Sequence, residues 1–290
     1  MKKTLYLLPV LLCWSFLTFA QDDLLNMLDN AGPAKPEPVT ATFKTTRVLN
    51  GHSIEQVAKN HLDFRINHRF GTLNSGIDEF WGLDYARIRL GLEYGINDWC
   101  MVGIGRNNLG RKAWDYFGKL RLLRQTKTNS MPISLSYHTS AAVDVLKITN
   151  SKKLVDRLTY THQLLLARKI TDGISIQLSP TFIHRNQVET PNLDNDLFAL
   201  GIGGRFKITR RTSFNVEYFH LFNPKKVSNE KLVNCLSVGF DIETGGHVFQ
   251  LHFTNSLGLI EKDFIANTSN RWDKGDISYG FNISRTFSFK

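Results

Sequence analysis

The chain has 290 residues, with 36 Lys+Arg against 26 Asp+Glu, a formal net charge of +10 and 42% hydrophobic residues. Those fractions exclude a disordered polyelectrolyte and a collagen-like repeat, and three cysteines are too few for a disulfide-stapled miniprotein. Mean hydropathy is -0.22, and beyond the N-terminus no apolar run approaches the roughly 20 residues of a spanning helix, which leaves a soluble protein or a barrel.

Met1, Lys2 and Lys3 make a short positive start, Leu5 to Phe19 is almost wholly apolar, and Thr18-Phe19-Ala20 stands where a signal peptidase cuts. Residues 1–20 therefore read as a secretory signal removed before Gln21. Cys13 follows Leu12 deep in the apolar run, a poor context for a lipid anchor. Residues 21–39 place Leu24, Leu25 and Leu28 on one side of a short helix, with Pro33, Pro36 and Pro38 as an extended spacer. This is the composition of a periplasmic tether, or of a docking peptide for an envelope partner.

Residues 40–60 form a pre-barrel segment. Its start, Val39 to Asn50, alternates like a strand, and two placements stay open for it, inside a barrel or below one. From residue 61 to 290 nearly every stretch alternates apolar with polar residues, the period of a strand. In LDYARIRLGLEYGI, Ala86, Ile88, Leu90, Leu92, Tyr94 and Ile96 share one face, while Tyr85, Arg87, Arg89, Gly91, Glu93 and Gly95 share the other. Strands are expected near 61–70, 84–96, 99–106, 113–124, 132–141, 158–168, 174–184, 197–208, 212–222, 232–242, 247–257 and 276–289, each long enough to cross a bilayer at a tilt. Short and long connections alternate between them. The fold class is thus an all-β, antiparallel transmembrane β-barrel of about 12 strands, with short periplasmic turns and longer external loops. Pairing of Val39 to Asn50 with one further strand would make 14.

A soluble sandwich would carry many Lys and Glu on its polar faces, whereas these faces hold Gly, Ser, Thr, Asn and Arg, as a confined lumen does. Trp99, Trp114, Tyr94, Tyr160 and Tyr218 fall where aromatic girdles would stand. Three residues cut against a regular barrel: Pro180 inside a strand demands a bulge, and Arg285 and His162 fall on the lipid-facing parity. Cys100 and Cys235 lie on opposite faces of non-neighbouring strands, so two free thiols are expected.

The segment ATFKTTRVLNGHS (Ala41 to Ser53), the strand LDFRINHRFG (Leu62 to Gly71) and the closing aromatic strand through Phe289 resemble an uncharacterised family of Gram-negative outer-membrane β-barrel proteins, a domain of unknown function. The resemblance implies fold and location in the cell outer membrane, and brings no catalytic residues. It also implies recognition by the barrel-assembly machinery through a terminal aromatic, here followed by Lys290.

The lumen-lining basic candidates are Arg65, Arg69, Arg87, Arg89, Arg106, Lys119, Arg121, Arg205 and Lys207, against Asp63, Glu93, Asp115, Glu217 and Asp241. Such an excess of guanidinium groups in a hydrated tube favours small anionic solutes. Alternatively, the same arginines pair with the acids and fill the barrel. His138-Thr139-Ser140 resembles the His-x-Ser spacing of outer-membrane phospholipases, but both residues share the lumenal face and no Asn stands ready to orient the imidazole, so no enzyme is expected. The nine histidines show no metal-ligand spacing, and neither a metal nor a cofactor is expected. Lys152-Lys153 and Pro224-Lys225-Lys226 suit contact with lipopolysaccharide phosphates, whereas nucleic acid is no partner for an exported chain. The expected function is a narrow passive pore or solute-binding barrel with a basic lumen. The competing expectation is a non-conducting structural or assembly component of the outer membrane.

Overall fold

The computed structural model describes residues 36–110, 112–146, 153–188, 193–222, 226–227 and 230–289. Residues 1–35, where a signal sequence and most of a tether are expected, and Lys152, Pro224, Lys225 and Lys290 lie outside the described residues. The strands are β1 (His61–Thr72), β2 (Arg87–Gly95), β3 (Cys100–Asn107), β4 (Ala113–Leu123), β5 (Ser134–Asp144), β6 (Leu158–Lys169), β7 (Ile174–Arg185), β8 (Asp196–Lys207) and β9 (Thr212–Leu221). They continue with β10 (Lys226–Val227), β11 (Glu230–Lys231), β12 (Cys235–Thr244), β13 (His247–Thr254) and β14 (Ser278–Ser288).

Twelve of them form one closed antiparallel barrel, while β10 and β11 pair only with each other. Closure comes from β1, whose Leu62 lies opposite Tyr94 of β2 on one side and Phe287 of β14 on the other. No strand of the barrel is left with an open edge, so every wall backbone has a neighbour on both sides.

The period-two sequence pattern becomes two environments. Outward side chains such as Phe198 and Ile202 of β8 are 59% and 49% exposed, and Leu90, Leu92, Ile176, Leu178, Phe240, Leu251 and Phe253 continue the apolar belt around the wall. A continuous apolar surface of that extent suits hydrocarbon and not water. Tyr94 and Trp99 stand at the end of the barrel where β2 turns into β3, and Trp114 and Tyr160 near the opposite end, at the two levels that membrane interfaces favour for aromatics.

The end carrying His61 and Ser288 also holds the turns after β2, β4, β6, β8 and β12, and is called here the turn end. The other, the loop end, carries the connections after β1, β3, β5, β7, β9 and β13. The alternation of lengths breaks once, because the loop-end connection 108–112 is shorter than the turn-end connection 124–133.

Pro180 sits in β7 without the bulge expected for it. The β6–β7 register is the same on both sides of it, from Gln163 opposite Thr181 to Leu166 opposite Leu178, and only the pairs between are missing. An outward-pointing proline thus removes local ladder bonds without shifting the strand. His162 meets its own polar partners on the outer wall: its Nδ1 lies 2.6 Å from the Tyr137 hydroxyl and 3.2 Å from that of Thr139. Arg285 lies near the turn end, its Cζ 5.1 Å from the Phe287 ring centroid. Cys100 and Cys235 are both free thiols, Cys235 being buried on the inner face.

The wall assignment makes a direct prediction. Ile202→Arg, on the outer face midway along β8, lowers folding stability in lipid vesicles by about 2–4 kcal/mol, as read from urea titrations. Phe206→Arg, near the turn end, costs no more than about 1 kcal/mol.

Candidate functional site

The site is the lumen itself, and it is filled. Residues 38–60 make no thirteenth strand. Of the two placements open to Val39 to Asn50, the structure takes the interior. The segment enters at the turn end, where Pro38 bridges Thr126 and the Val39 N–H donates to the Gln125 carbonyl. It turns over at Val48 to Gly51, with Arg47 bridging His52, and leaves again at the turn end with Lys59 beside Gly95. Gly95 is required there, since a Cβ would lie 2.1 Å from the Ala58 carbonyl oxygen.

Isolated bridges at its ends and its tip are the segment's backbone pairing, with no continuous ladder, and wall side chains take carbonyls along the rest. Lys119 Nζ donates to the carbonyls of Ser53 and Glu55 at 3.0 and 2.5 Å. Gln177 donates to His52 O, Gln250 to Val48 O, Asn282 to Leu49 O and Arg205 to Ala41 O, at 2.8 to 3.0 Å. Conversely, Glu217 accepts the N–H groups of Asn50 and Gly51 at 2.8 and 3.0 Å. Buried backbone polar groups need such partners, and here the polar face of the sheet supplies them. Apolar contacts add to these, with Phe43, Val48 and Ile54 packed on Leu165 and Ala167.

From the loop end, residues 255–277 fold inward as a cap. Its short helix α1 (Glu261–Phe264) is placed by Ile260 packed with Ala113 and Ala142, and by Phe264, Ile265 and Ala266 against Ile183, Leu197, Phe219 and Leu221. Lys262 Nζ meets Asp144 at 2.5 Å. Plug and cap touch inside the barrel, where His52 Nε2 lies 3.7 Å from Glu261 Oε1. Beside the cap, a cleft of about 330 Å³ opens at the loop end among Asp144, Arg157, Arg185, Lys262 and Asp263.

The basic candidates divide sharply. Arg65, Arg69, Arg89 and Lys119 are 0–1% exposed, and each is engaged. Arg65 contacts Asp63 at 2.9 Å and Glu93 at 3.6 Å. Arg89 grips Asp115 through Nε and Nη2, at 3.0 and 2.5 Å, and lies flat against Gly105, where a Cβ would come within 2.3 Å of the guanidinium. Arg69 donates to Asn50 Oδ1 and the Ser256 carbonyl, both at 2.7 Å, linking plug and cap. Arg205 is also buried. Arg87 stands at the first residue of β2 at the loop end, Arg121 near the turn end with Nη1 on the Asp98 carbonyl at 2.6 Å, and Lys207 is exposed at the end of β8.

Arg106 is a correction. The inward positions of β3 are Met101, Gly103, Gly105 and Asn107, and Arg106 has the parity of outward Val102 and Ile104; its Cζ lies 5.4 Å from the ring centroid of outward Trp114. The guanidinium there is held over an aromatic face.

Sequence reasoning missed Arg47, His52 and Glu261, all brought inside by the plug and cap. Arg47 Nη2 meets Glu93 at 2.9 Å and its Nη1 donates to His52 Nδ1 at 2.9 Å. Burial lowers the Arg47 guanidinium to about 10 despite the opposing Glu93. Burial and then Arg47 hold His52 well below its ordinary value, so the ring is neutral, while burial raises Glu261. With Arg106 outside, three of the other basic candidates at the rims, and Arg47 and Glu261 adding one charge of each sign, the basic excess among these residues disappears from the interior.

His138 and Ser140 both face inward. The His138 ring centroid lies 3.9 Å from that of His52, the planes tilted by 34°, and among the described residues neither of its nitrogens has a hydrogen-bond partner.

Residues 43–287 match the family model described as "Membrane bound beta barrel domain (DUF5777)". The chain belongs to this family. It is a membrane-bound β-barrel. In fold it is similar to the NanC porin, at 10% identity and a TM-score of 0.50 over 79% of this chain and 99% of that one. It is also similar to an outer-membrane channel from Pseudomonas putida F1, at 11% and 0.49 over 80% and 97%. A third likeness is to outer membrane phospholipase A from Escherichia coli, at 10% and 0.44 over 77% and 89%. No curated protein matches the chain.

The burial of paired charges sets a contrast between two residues. Glu93→Ala leaves Arg47 and Arg65 buried without their shared carboxylate and destabilises the barrel by about 3–5 kcal/mol. Arg106→Ala, on the outer wall, costs less than about 0.5 kcal/mol. Folded fractions against urea, from the mobility of unheated samples on gels, measure both.

Proposed function

We propose that this protein is a barrel of the outer membrane that stays closed to solutes while residues 38–60 occupy its lumen. Its role is that of a non-conducting component whose loop end meets the outside and whose turn end faces the periplasm. The observation that carries this reading is the occupation of the lumen by residues 38–60, which the wall holds through side-chain hydrogen bonds. The cations expected to attract an anion are spent on carboxylates and on the carbonyls of the chain's own plug. A buried cation whose charge is already answered by a carboxylate or a carbonyl, and which the plug shields from solvent, offers little to a passing ion. A signal sequence at residues 1–20, assembly by the barrel-insertion machinery and contact with lipopolysaccharide at the loop end belong to the same reading.

The protein is not an enzyme in this proposal, since His138 and Ser140 face a packed interior and not lipid, with no substrate path to them. Among the described residues, a solute-binding role is favoured by the loop-end cleft, where side chains of both signs converge. Small zwitterionic or anionic solutes would meet the barrel there and not in its lumen.

Reconstituted in planar bilayers, the full mature chain gives no stable conductance steps, whereas a variant lacking residues 40–58 gives discrete ones. Equal steps from both proteins would overturn the closed reading.

A further inference from the structure

Three separate parts of the chain bring one possible ligand set together. His52 comes from the tip of the plug, His138 from β5 of the wall, and Glu261 from the cap helix. All three are buried, and their donor atoms lie within 4.8 Å of one another. We propose that this His-His-Glu cluster is a binding site for a divalent cation of the zinc class.

Two observations point to an ion. First, His138 is fully buried with both ring nitrogens unpartnered among the described residues. An orphaned imidazole of this kind is costly, and an ion at its nitrogen is one of the few ways to satisfy it. Second, the donor chemistry fits, since two neutral imidazoles and one carboxylate are a zinc ligand set that leaves a fourth position for water.

Binding has a structural cost that the geometry defines. Ligands about 2.0–2.1 Å from a tetrahedral ion stand roughly 3.3 Å apart, so the cluster contracts. Ligation through His52 Nε2 places the ring proton on Nδ1, and the Arg47 Nη1 contact at 2.9 Å is then given up. Arg47 keeps Glu93 at 2.9 Å and the Thr46 carbonyl at 3.3 Å. The positive surroundings of Arg47, Arg89 and Lys119 oppose a cation, and the carboxylates Glu93 and Asp115 that pair with the two arginines offset them. The bound ion would join plug, wall and cap at one point. The inference goes beyond the closed-barrel reading, because ion counting and conductance can each fail without the other.

The test uses the full mature chain purified in detergent with a histidine-free tag, stripped with a chelator and dialysed against Zn2+ alone. Elemental analysis is expected to find one zinc per chain, and Co2+ in its place to give the intense visible bands of four-coordinate geometry. Glu261→Gln, in the cap and outside the wall, is expected to weaken zinc binding by about tenfold or more. His138→Gln does the same, while exposed His184→Ala changes nothing. Less than a tenth of a zinc per chain in the wild type overturns the proposal, leaving a water molecule as the partner of His138. So does binding unchanged in a folded Glu261→Gln. If His138→Gln does not fold, the Glu261→Gln titration and the wild-type Co2+ spectrum decide.

Discussion

The structure depends on hydrogen bonds from wall side chains to the backbone of an inserted segment. An irregular stretch of chain cannot sit in a water-poor interior unless its N–H and C=O groups are answered. Lys119, Gln177, Gln250, Asn282, Arg205 and Glu217 answer them from six different strands. The polar face of the sheet is therefore a mould for one particular backbone. This also explains why that face is rich in amides and hydroxyls: Asn, Gln, Ser and Thr can serve carbonyls and amides without bringing a net charge that must itself be neutralised.

Charge follows the same logic. Arg47, Arg65 and Arg89 are arranged in contact with Asp63, Glu93 and Asp115, Arg47 from the plug sharing Glu93 with Arg65 of the wall, while Arg69 and Arg205 are answered by carbonyls. Removing the plug would therefore break ion pairs as well as hydrogen bonds. Seating it late in folding, once β1 has closed on β14, would complete a network that neither part satisfies alone.

The wall was legible in the sequence because a side chain in a sheet has only two directions, and the solvent on each side selects its chemistry. Asp63, Arg65, Asn67 and Arg69 alternate with Leu62, Phe64, Ile66 and His68, and β1 has that orientation. Parity alone also places Arg106 with Val102 and Ile104; attention to its charge concealed what its position said. The plug was not legible, since VTATFKTTRVLN alternates like a strand, yet the described residues from Thr42 to Asn50 are buried on nearly all sides and have no outer face. Its signal lay elsewhere, in apolar residues of inward parity. Met101, Phe117, Leu165, Ile183 and Phe219 have no place in a watery channel, and each touches plug or cap. The meeting of His52, His138 and Glu261 had no linear spacing to reveal it, because they come together only when the two ends of the barrel are both filled.

That meeting has a mechanical side. The inserted segment is rooted at one mouth of the barrel and its tip is roofed by a helix descending from the other, with Arg69 holding both through Asn50 and Ser256. Plug and cap thus form a column of touching side chains down the axis, tied along its length to the staves around it. Lifting the roof would free Arg69 from the Ser256 carbonyl and leave the tip of the column moored by the staves alone.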